Sequence, residues 1–305
     1  MSIPPESKTK TFQVTEPGVR LDIYLANEHS ELSRSYLQKL ISQGCVLVNG
    51  IAAKAKHKLN TGDRIDISLP PAEPASLTAD PTPLTIIYED DDLLVIDKPA
   101  GLVVHPVPGY SSHTLINAVL YHYPDLAGVG DPMRPGVVHR LDKNTSGLIV
   151  VAKNNAAQKY LTDQFKARTV VKGYLVLVSG KLSPMRGIIE APVGRDPGNR
   201  KRMAVVSGGR EARTSYRVEE YISNYSLLEI ITETGRTHQI RVHLSAIGYP
   251  VVGDAVYGVR SRYFKRQFVH ANHLGFNLFS TGVYREFTCE LASDLKEGLK
   301  LIKDG

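Results

Sequence analysis

Gly147-Leu148-Ile149-Val150-Val151-Ala152-Lys153-Asn154-Asn155-Ala156-Ala157-Gln158-Lys159-Tyr160-Leu161-Thr162-Asp163-Gln164-Phe165 carries two periodicities in one run. Gly147 to Ala152 is continuously apolar and reads as a strand. Beyond it, Ala157, Tyr160, Leu161 and Phe165 fall on one face of an amphipathic helix. Outward from this unit, Leu84 to Tyr88 and Leu93 to Ile96 are strand candidates, with Glu89-Asp90-Asp91-Asp92 as the turn between them. Tyr174 to Val178, Ala212 to Tyr221 and Leu227 to Thr232 read as further strands, and Thr237 to Ile247 as a helix ended by Gly248. Strands outnumber helices and follow no βαβ rhythm. The expected class is therefore α+β, a mixed and mainly antiparallel sheet flanked by helices and loops, and not a Rossmann-type fold.

Residues 70–83, PPAEPASLTADPTP, are dense in proline and show no apolar periodicity, so they read as a semi-rigid linker. The linker separates a small module over 11–69 from a large domain over 84–305, with 1–10 as a polar, mobile tail. In the small module Ser33 caps a helix with Leu37, Leu40 and Ile41 on its apolar side, and Gly44 ends it. Cys45 to Val48 reads as a strand, Asn49-Gly50 as a tight hairpin turn, and Arg64 to Ile67 as another strand.

The composition is that of a globular chain, with 42% hydrophobic and 22% charged residues in 305. No apolar run approaches the roughly 20 residues that span a bilayer, and Met1 to Lys10 lacks the apolar core of a secretory signal. Cys45 and Cys289 fit no metal-ligand spacing, so a cytoplasmic protein with buried thiols is expected. The net charge of +6 is concentrated in clusters. Arg195, Arg200, Lys201, Arg202, Arg210, Arg213 and Arg217 form one; Lys54, Lys56, Lys58 and Arg64 form another; Arg260, Arg262, Lys265 and Arg266 form a third. Arg34 and Lys39 add charge on or beside the exposed side of the first module's helix. Such clustering suits a polyphosphate partner, although each cluster alone reads equally well as a solvated face.

Phosphate-binding and dinucleotide glycine motifs are missing, as are clustered histidine and cysteine ligands. His238 and His243 fall on different faces of one helix, and the carboxylates of Glu89 to Asp92 diverge on a turn. The expectation is chemistry without nucleotide, metal or other cofactor. Arg134 to Leu148 contains a polar loop between apolar segments, the setting in which rigid scaffolds present functional groups. By spacing alone Asp142 reads equally as a turn cap and as a catalytic carboxylate. Thr234-Gly235-Arg236-Thr237-His238-Gln239-Ile240-Arg241-Val242-His243-Leu244 places Arg241 beside a buried stripe of Ile240, Leu244 and Ile247. A guanidinium there needs a partner, and a fork onto Asp142 would fix that carboxylate in its charged form.

Arg20-Leu21-Asp22, Ser33-Arg34 and Gly44 to Gly50 together resemble the S4 RNA-binding domain. His139-Arg140-Leu141-Asp142 with Thr145-Ser146-Gly147, Gly235 to His243, and Gly253-Asp254-Ala255-Val256-Tyr257-Gly258 resemble the RluA/RluD family of RNA pseudouridine synthases. Lys98-Pro99-Ala100-Gly101, His105-Pro106 and Lys172-Gly173-Tyr174 extend that resemblance. It implies an S4-like module joined to a synthase domain, isomerisation of uridine to pseudouridine, Asp142 as nucleophile, Arg241 as its ion-pair partner and Tyr174 against the uracil. Arg140 would help hold the extruded base, with His139 and Leu141 supporting the site. Arg34, Lys39, Lys54, Lys56, Arg200, Lys201 and Arg202 would contact RNA. Structured RNA, foremost large-subunit ribosomal RNA, is the implied partner of a monomer. Transfer RNA, an inert RNA-binding assembly factor and a uracil-releasing N-glycosidase stand as alternatives. Asn144 stands where many members carry an acid, and Phe276-Asn277-Leu278-Phe279 lacks a His-Pro pair common there.

Overall fold

The structure, a computed structural model, describes residues 8–28, 34–69, 77–107, 112–199 and 202–304. The chain divides into two compact units, Met1–Ser76 and Leu77–Gly305. The smaller contains β1 (Lys8–Gln13), α1 (Leu21–Glu28), α2 (Arg34–Ser42), β2 (Val46–Val48), β3 (Ile51–Ala52) and β4 (Arg64–Leu69), with sheet order β1-β4-β2-β3. Leu37, Leu40 and Ile41 of α2 pack onto Leu21 and Leu25 of α1 and onto Val46, Ile65 and Ile67 of the sheet. The β2–β3 turn has Asn49 at φ 52° and Gly50 at φ 79°, a left-handed pair that this dipeptide adopts cheaply. Ser33 lies outside the described residues. Lys8 already pairs with Leu69, so the strand starts inside the segment expected as tail.

The larger unit runs β5 (Thr85–Glu89), β6 (Leu93–Lys98), α3 (Leu115–His122), β7 (Ser146–Ala152), α4 (Asn155–Ala167), β8 (Val171–Ser179), β9 (Arg186–Glu190), β10 (Val193–Arg195), β11 (Met203–Val205), β12 (Arg213–Ile222), β13 (Tyr225–Thr232), α5 (Gln239–Ala246), β14 (Val269–Asn277), β15 (Tyr284–Thr288) and α6 (Ser293–Asp304). Its nine-stranded sheet has the order β5-β6-β7-β14-β8-β13-β12-β9, with β15 on β14. Among the described residues β14 runs parallel to β7 and the other ladders of this sheet are antiparallel. The mixed, mainly antiparallel sheet is thus the expected one. No helix among the described residues is long and apolar enough to cross a membrane.

The opening run explains the layering. Every residue of β7 is buried, and alternate side chains serve opposite faces. Leu148, Val150 and Ala152 meet Ala157 and Leu161 of α4, whereas Ile149 and Val151 meet Leu115, Ile116 and Val119 of α3. Further along, Val176, Leu228 and Ile230 pack on Ile240 and Leu244 of α5. Leu177 and Ile222 point to the other side, against Leu295 and Ile302 of α6. Tyr174 touches both the α3 cluster and the α5 cluster, so its ring sits where these two patches meet.

Residues 77–83 depart from the linker reading. Leu77 and Leu84 join the α3 cluster, and buried Asn117 donates Nδ2–H to the Thr78 carbonyl at 2.8 Å. A proline-rich extended chain leaves its carbonyls unpaired, and here one satisfies a buried amide. The acidic turn is also spoken for. Glu89 accepts from the Tyr123 hydroxyl and from Lys153, Asp90 accepts from the backbone of Asp92 and Leu93, and Asp92 accepts from Asn154. Helix α5 begins later than its periodicity predicts because His238 is left-handed, with φ 58°. Ile247, expected on the buried stripe, is 38% exposed because the helix has already ended there.

A buried histidine, His270, and a half-buried one, His139, make acid stability a test of this packing. Burial pushes His270 down to about 4, and burial together with Lys172 pushes His139 down to about 3. The unfolded chain takes up these protons below about pH 6.5, the folded chain only nearer those lower values. Stability is therefore complete above that pH and declines as pH falls through the window, by up to about 1.4 kcal/mol per unit for each ring. Thermal melts between pH 7 and 4 should show this decline, and His139→Gln should flatten it. A wild-type melting temperature that does not move would contradict the assignment.

Candidate active site

The loop before β7 is pinned along its length. Gly136 is at φ 69°, and a Cβ there would collide with the Ala152 carbonyl, so only glycine lets the chain turn this close to β7. His139 does not face the cleft. Its Nε2 accepts from the Val150 N–H at 3.0 Å and its ring stacks on Phe165 at 4.7 Å, so it acts as a buttress toward α4. Leu141 is 5% exposed within the α3 cluster, at the edge of the cleft, while Arg140 is exposed and lines it. After Asp142 the carbonyls are clamped. The Lys143 carbonyl accepts from Gly101 N–H at 2.8 Å and from the Lys98 ammonium at 3.3 Å. Asn144 O accepts from Arg266 at 2.9 Å, and that guanidinium forks onto Asp294. Lys98 is fully buried; burial, helped by Arg266, pushes it down to about 7 against the pull of Asp142 and Asp97.

Arg241 and Asp142 do meet. Nη1 donates to Asp142 Oδ2 at 2.9 Å. The fork itself goes elsewhere: Nε and Nη2 donate to Asp254 at 2.6 and 2.9 Å. This corrects the expectation that the fork would grip Asp142. Asp254 is fully buried and also accepts from the backbone N–H groups of Val256 and Tyr257 at 2.8 and 3.1 Å. Burial opposes its charge, but Arg241 and those two N–H groups hold the carboxyl below the usual range. Burial likewise opposes the charge on Arg241, and the two carboxylates override it. Asp142 thus keeps one oxygen on the guanidinium, and among the described residues no hydrogen bond occupies Oδ1.

Asp142 is 18% exposed and faces a cleft walled by Tyr174, Leu141, Ile240 and Val269 with Thr145 and Thr232. Burial pushes the Tyr174 phenol up to about 12, so it is a neutral, flat wall. A second hollow shares Asp142, His238 and Arg241 and is otherwise edged by Lys143, Asn144, Val256 and Lys265. Tyr257, 8% exposed, lies under the site with Arg241 at 5.0 Å from its ring centre and Arg202 at 5.1 Å. The sequence by itself assigns no role to Asp254, Tyr257 or Lys98. Asp254 and Tyr257 fall within the motif from Gly253 to Gly258, and nothing in their spacing says they sit behind Arg241.

The basic clusters divide. Arg266 is buried in structure, and Arg213 and Arg217 pair with Glu190, Glu233, Glu219 and Glu229. Lys54 and Lys56 are exposed on the small unit, and Arg202 lies on Tyr257. Arg200 and Lys201, and the side chains of Arg34 and Lys39, lie outside the described residues. Cys45 and Cys289 are free and half-buried.

A loop-borne carboxylate held by a buried arginine, opening on a cleft with a flat apolar wall, suits the remaking of a bond to a planar ring. The class is that of an isomerase acting on RNA uridine. The chain belongs to the RNA pseudouridylate synthase family, whose model matches residues 92–246, and an S4 domain matches residues 19–65. It is 48% identical over 301 residues to an uncharacterized RNA pseudouridine synthase of Chloroflexus aurantiacus, covering 98% of this chain and 95% of that protein. It is 41% identical over 314 residues to ribosomal large subunit pseudouridine synthase D of Zymomonas mobilis, covering 98% of each. The solved structure of human RNA pseudouridylate synthase domain containing 1 superposes with a TM-score of 0.55 at 28% identity, over 74% of this chain and 97% of that one.

Proposed function

We propose that this synthase isomerises uridines of large-subunit ribosomal RNA, with Asp142 as nucleophile and without a cofactor. The observation that carries the chemistry is the asymmetric hold on Asp142, which lines the cleft with Oδ2 on Arg241 and, among the described residues, no hydrogen bond on Oδ1. The names of relatives such as the Zymomonas mobilis enzyme support the choice of RNA. The reaction breaks the N1–C1′ bond, turns the uracil and joins C5 to C1′. The C5 proton leaves and N1 gains one, so the isomerisation balances without an added reagent. Oδ1 either attacks C1′ or removes a sugar proton to give a glycal. Arg241 stabilises the carboxylate, and Tyr174, beside Ile240 and Val269, is the surface on which the detached base stacks, worth about 1–3 kcal/mol. That contact offsets part of the few kcal/mol needed to flip the uridine out.

Tritium release from RNA labelled at uracil C5, read with nucleoside analysis, tests this. Pseudouridine supports it; free uracil would make the protein an N-glycosidase, and neither product an inert binder. Mapping pseudouridines in a deletion strain separates ribosomal from transfer RNA. Binding should also follow salt. If about five phosphates are neutralised along a single-stranded path, a fourfold rise in salt weakens binding roughly 100-fold, from a slope of about −0.7 per contact. A flat salt response would count against an extended phosphate interface.

A further inference from the structure

Asp142, Arg241 and Tyr174 have tasks, but His238 sits in the same cleft without one. With Asp142 and Arg241 it lines both hollows, and its Nε2 is 3.9 Å from Asp142 Oδ2. That gap is too long for a hydrogen bond. Its backbone is left-handed at φ 58°, an uncommon conformation for histidine that the surroundings must hold. The side chain is then fixed from behind. Tyr257 Oη lies 2.8 Å from His238 Nδ1 and 2.8 Å from the Met203 nitrogen. Met203 N–H can only donate, so the phenol accepts there and has its one proton for Nδ1. With that proton given to Nδ1, the ring nitrogen facing the phenol is the acceptor and Nε2, on the side of Asp142, carries the ring proton. Burial lowers the pKa of His238, opposed by Asp142, so the ring is a neutral donor near pH 7.

A donor and an anionic acceptor 3.9 Å apart make a seat for one oxygen that both accepts and donates. An oxygen at about 2.8 Å from each fits across that gap. A hydroxyl satisfies both partners, whereas a carbonyl or an ether satisfies only one. A ribonucleotide carries such a group, the 2′-hydroxyl next to C1′. With Oδ1 of Asp142 turned to C1′, the hydroxyl on the adjoining sugar carbon falls beside Oδ2. We propose that His238 recognises the ribose of the target nucleotide, its Nε2–H donating to the 2′-hydroxyl while that hydroxyl donates to Oδ2 of Asp142. His238 is thus the residue by which the active site tells RNA from DNA, the distinction that a 2′-hydroxyl carries. This deepens the proposed function and rests on it.

The test uses a fragment of large-subunit ribosomal RNA in which the wild-type protein forms pseudouridine, and the same fragment with 2′-deoxyuridine at that position. Both are bound to the wild-type protein and to His238→Asn, whose side chain tolerates the left-handed backbone but stops short of the ribose. Equilibrium Kd is read for all four pairs, so the result does not need the deoxy fragment to turn over. The deoxy change should weaken wild-type binding about tenfold, the worth of one net hydrogen bond, and weaken His238→Asn less than about twofold. An equal loss in both proteins, or none in the wild type, would overturn the proposal. Tyr257→Phe keeps the ring but removes the hydroxyl that sets the tautomer. It should cut the discrimination below about threefold, and a retained tenfold preference would equally overturn it. If the wild-type protein forms no pseudouridine in ribosomal RNA, the proposed function falls and this inference with it. If it does, and discrimination ignores His238, this inference alone falls.

Discussion

Asp142→Asn is expected to abolish pseudouridine formation while leaving the fold and RNA binding in place. The change keeps the side chain's shape and one acceptor for Arg241 Nη1, so little packing is disturbed. What it removes is the negative charge of a carboxylate that lines the cleft. A neutral amide neither attacks C1′ nor takes a sugar proton. Loss of a nucleophile on this scale costs on the order of 10⁴-fold or more in turnover. Single-turnover assays on C5-tritiated RNA, with Kd measured beside them, separate chemistry from binding. Residual turnover within about tenfold of wild type would remove Asp142 from the mechanism.

The second large effect concerns Asp254, which never meets the cleft. Asp254→Ala strips Arg241 of its forked partner and leaves a guanidinium 6% exposed with one hydrogen bond, to Asp142. Breaking a buried pair from one side costs about 3–5 kcal/mol. It also frees Arg241 to swing onto Asp142 and disturb the angle at which the carboxylate faces the sugar. Denaturant unfolding should register the stability loss, and turnover should fall about 10²–10³-fold, as when one preorganised donor is lost. Arg241→Met should lower turnover similarly. The double change Arg241→Met with Asp254→Leu should regain much of the stability, since apolar replacement of both partners is often neutral, but none of the activity. Recovery of turnover in that double variant would show that the arginine has no part in the chemistry.

The pair of results marks what reading residues in order can reach. A charged side chain at Arg241, beside the apolar stripe of Ile240 and Leu244, announces that it needs an anion. Which anion takes the fork is not written in the helix: Asp142 is 99 residues away and Asp254 is 13, and each is an acceptable partner on paper. The loop His139-Arg140-Leu141-Asp142 shows the same division. Its polarity between apolar segments is legible, but the direction of each side chain is not, and His139 turns to Phe165 while Asp142 turns to the cleft. Strand β14 lay hidden because Val269 to Asn277 interleaves His270, Asn272 and His273 with apolar residues. Its place between β7 and β8 becomes sensible only when Ser146 is seen 2.9 Å from His270.

Local physics in the sequence alone determined the strand-then-helix unit from Gly147 to Phe165, the Asn49-Gly50 turn, the two-part organisation and the motifs that mark the family. Each follows from periodicity, turn chemistry or residue order, which need only near neighbours. The tertiary structure decided which residues converge. It placed Asp254 behind Arg241, Tyr257 behind His238, and the Lys98 and Arg266 cations on the carbonyls that follow Asp142. Those partners lie on separate elements brought together by burial, and burial is non-directional and blind to distance along the chain. The motif that contains Asp142 was legible in the sequence; the set of groups that surrounds it is a property of the fold.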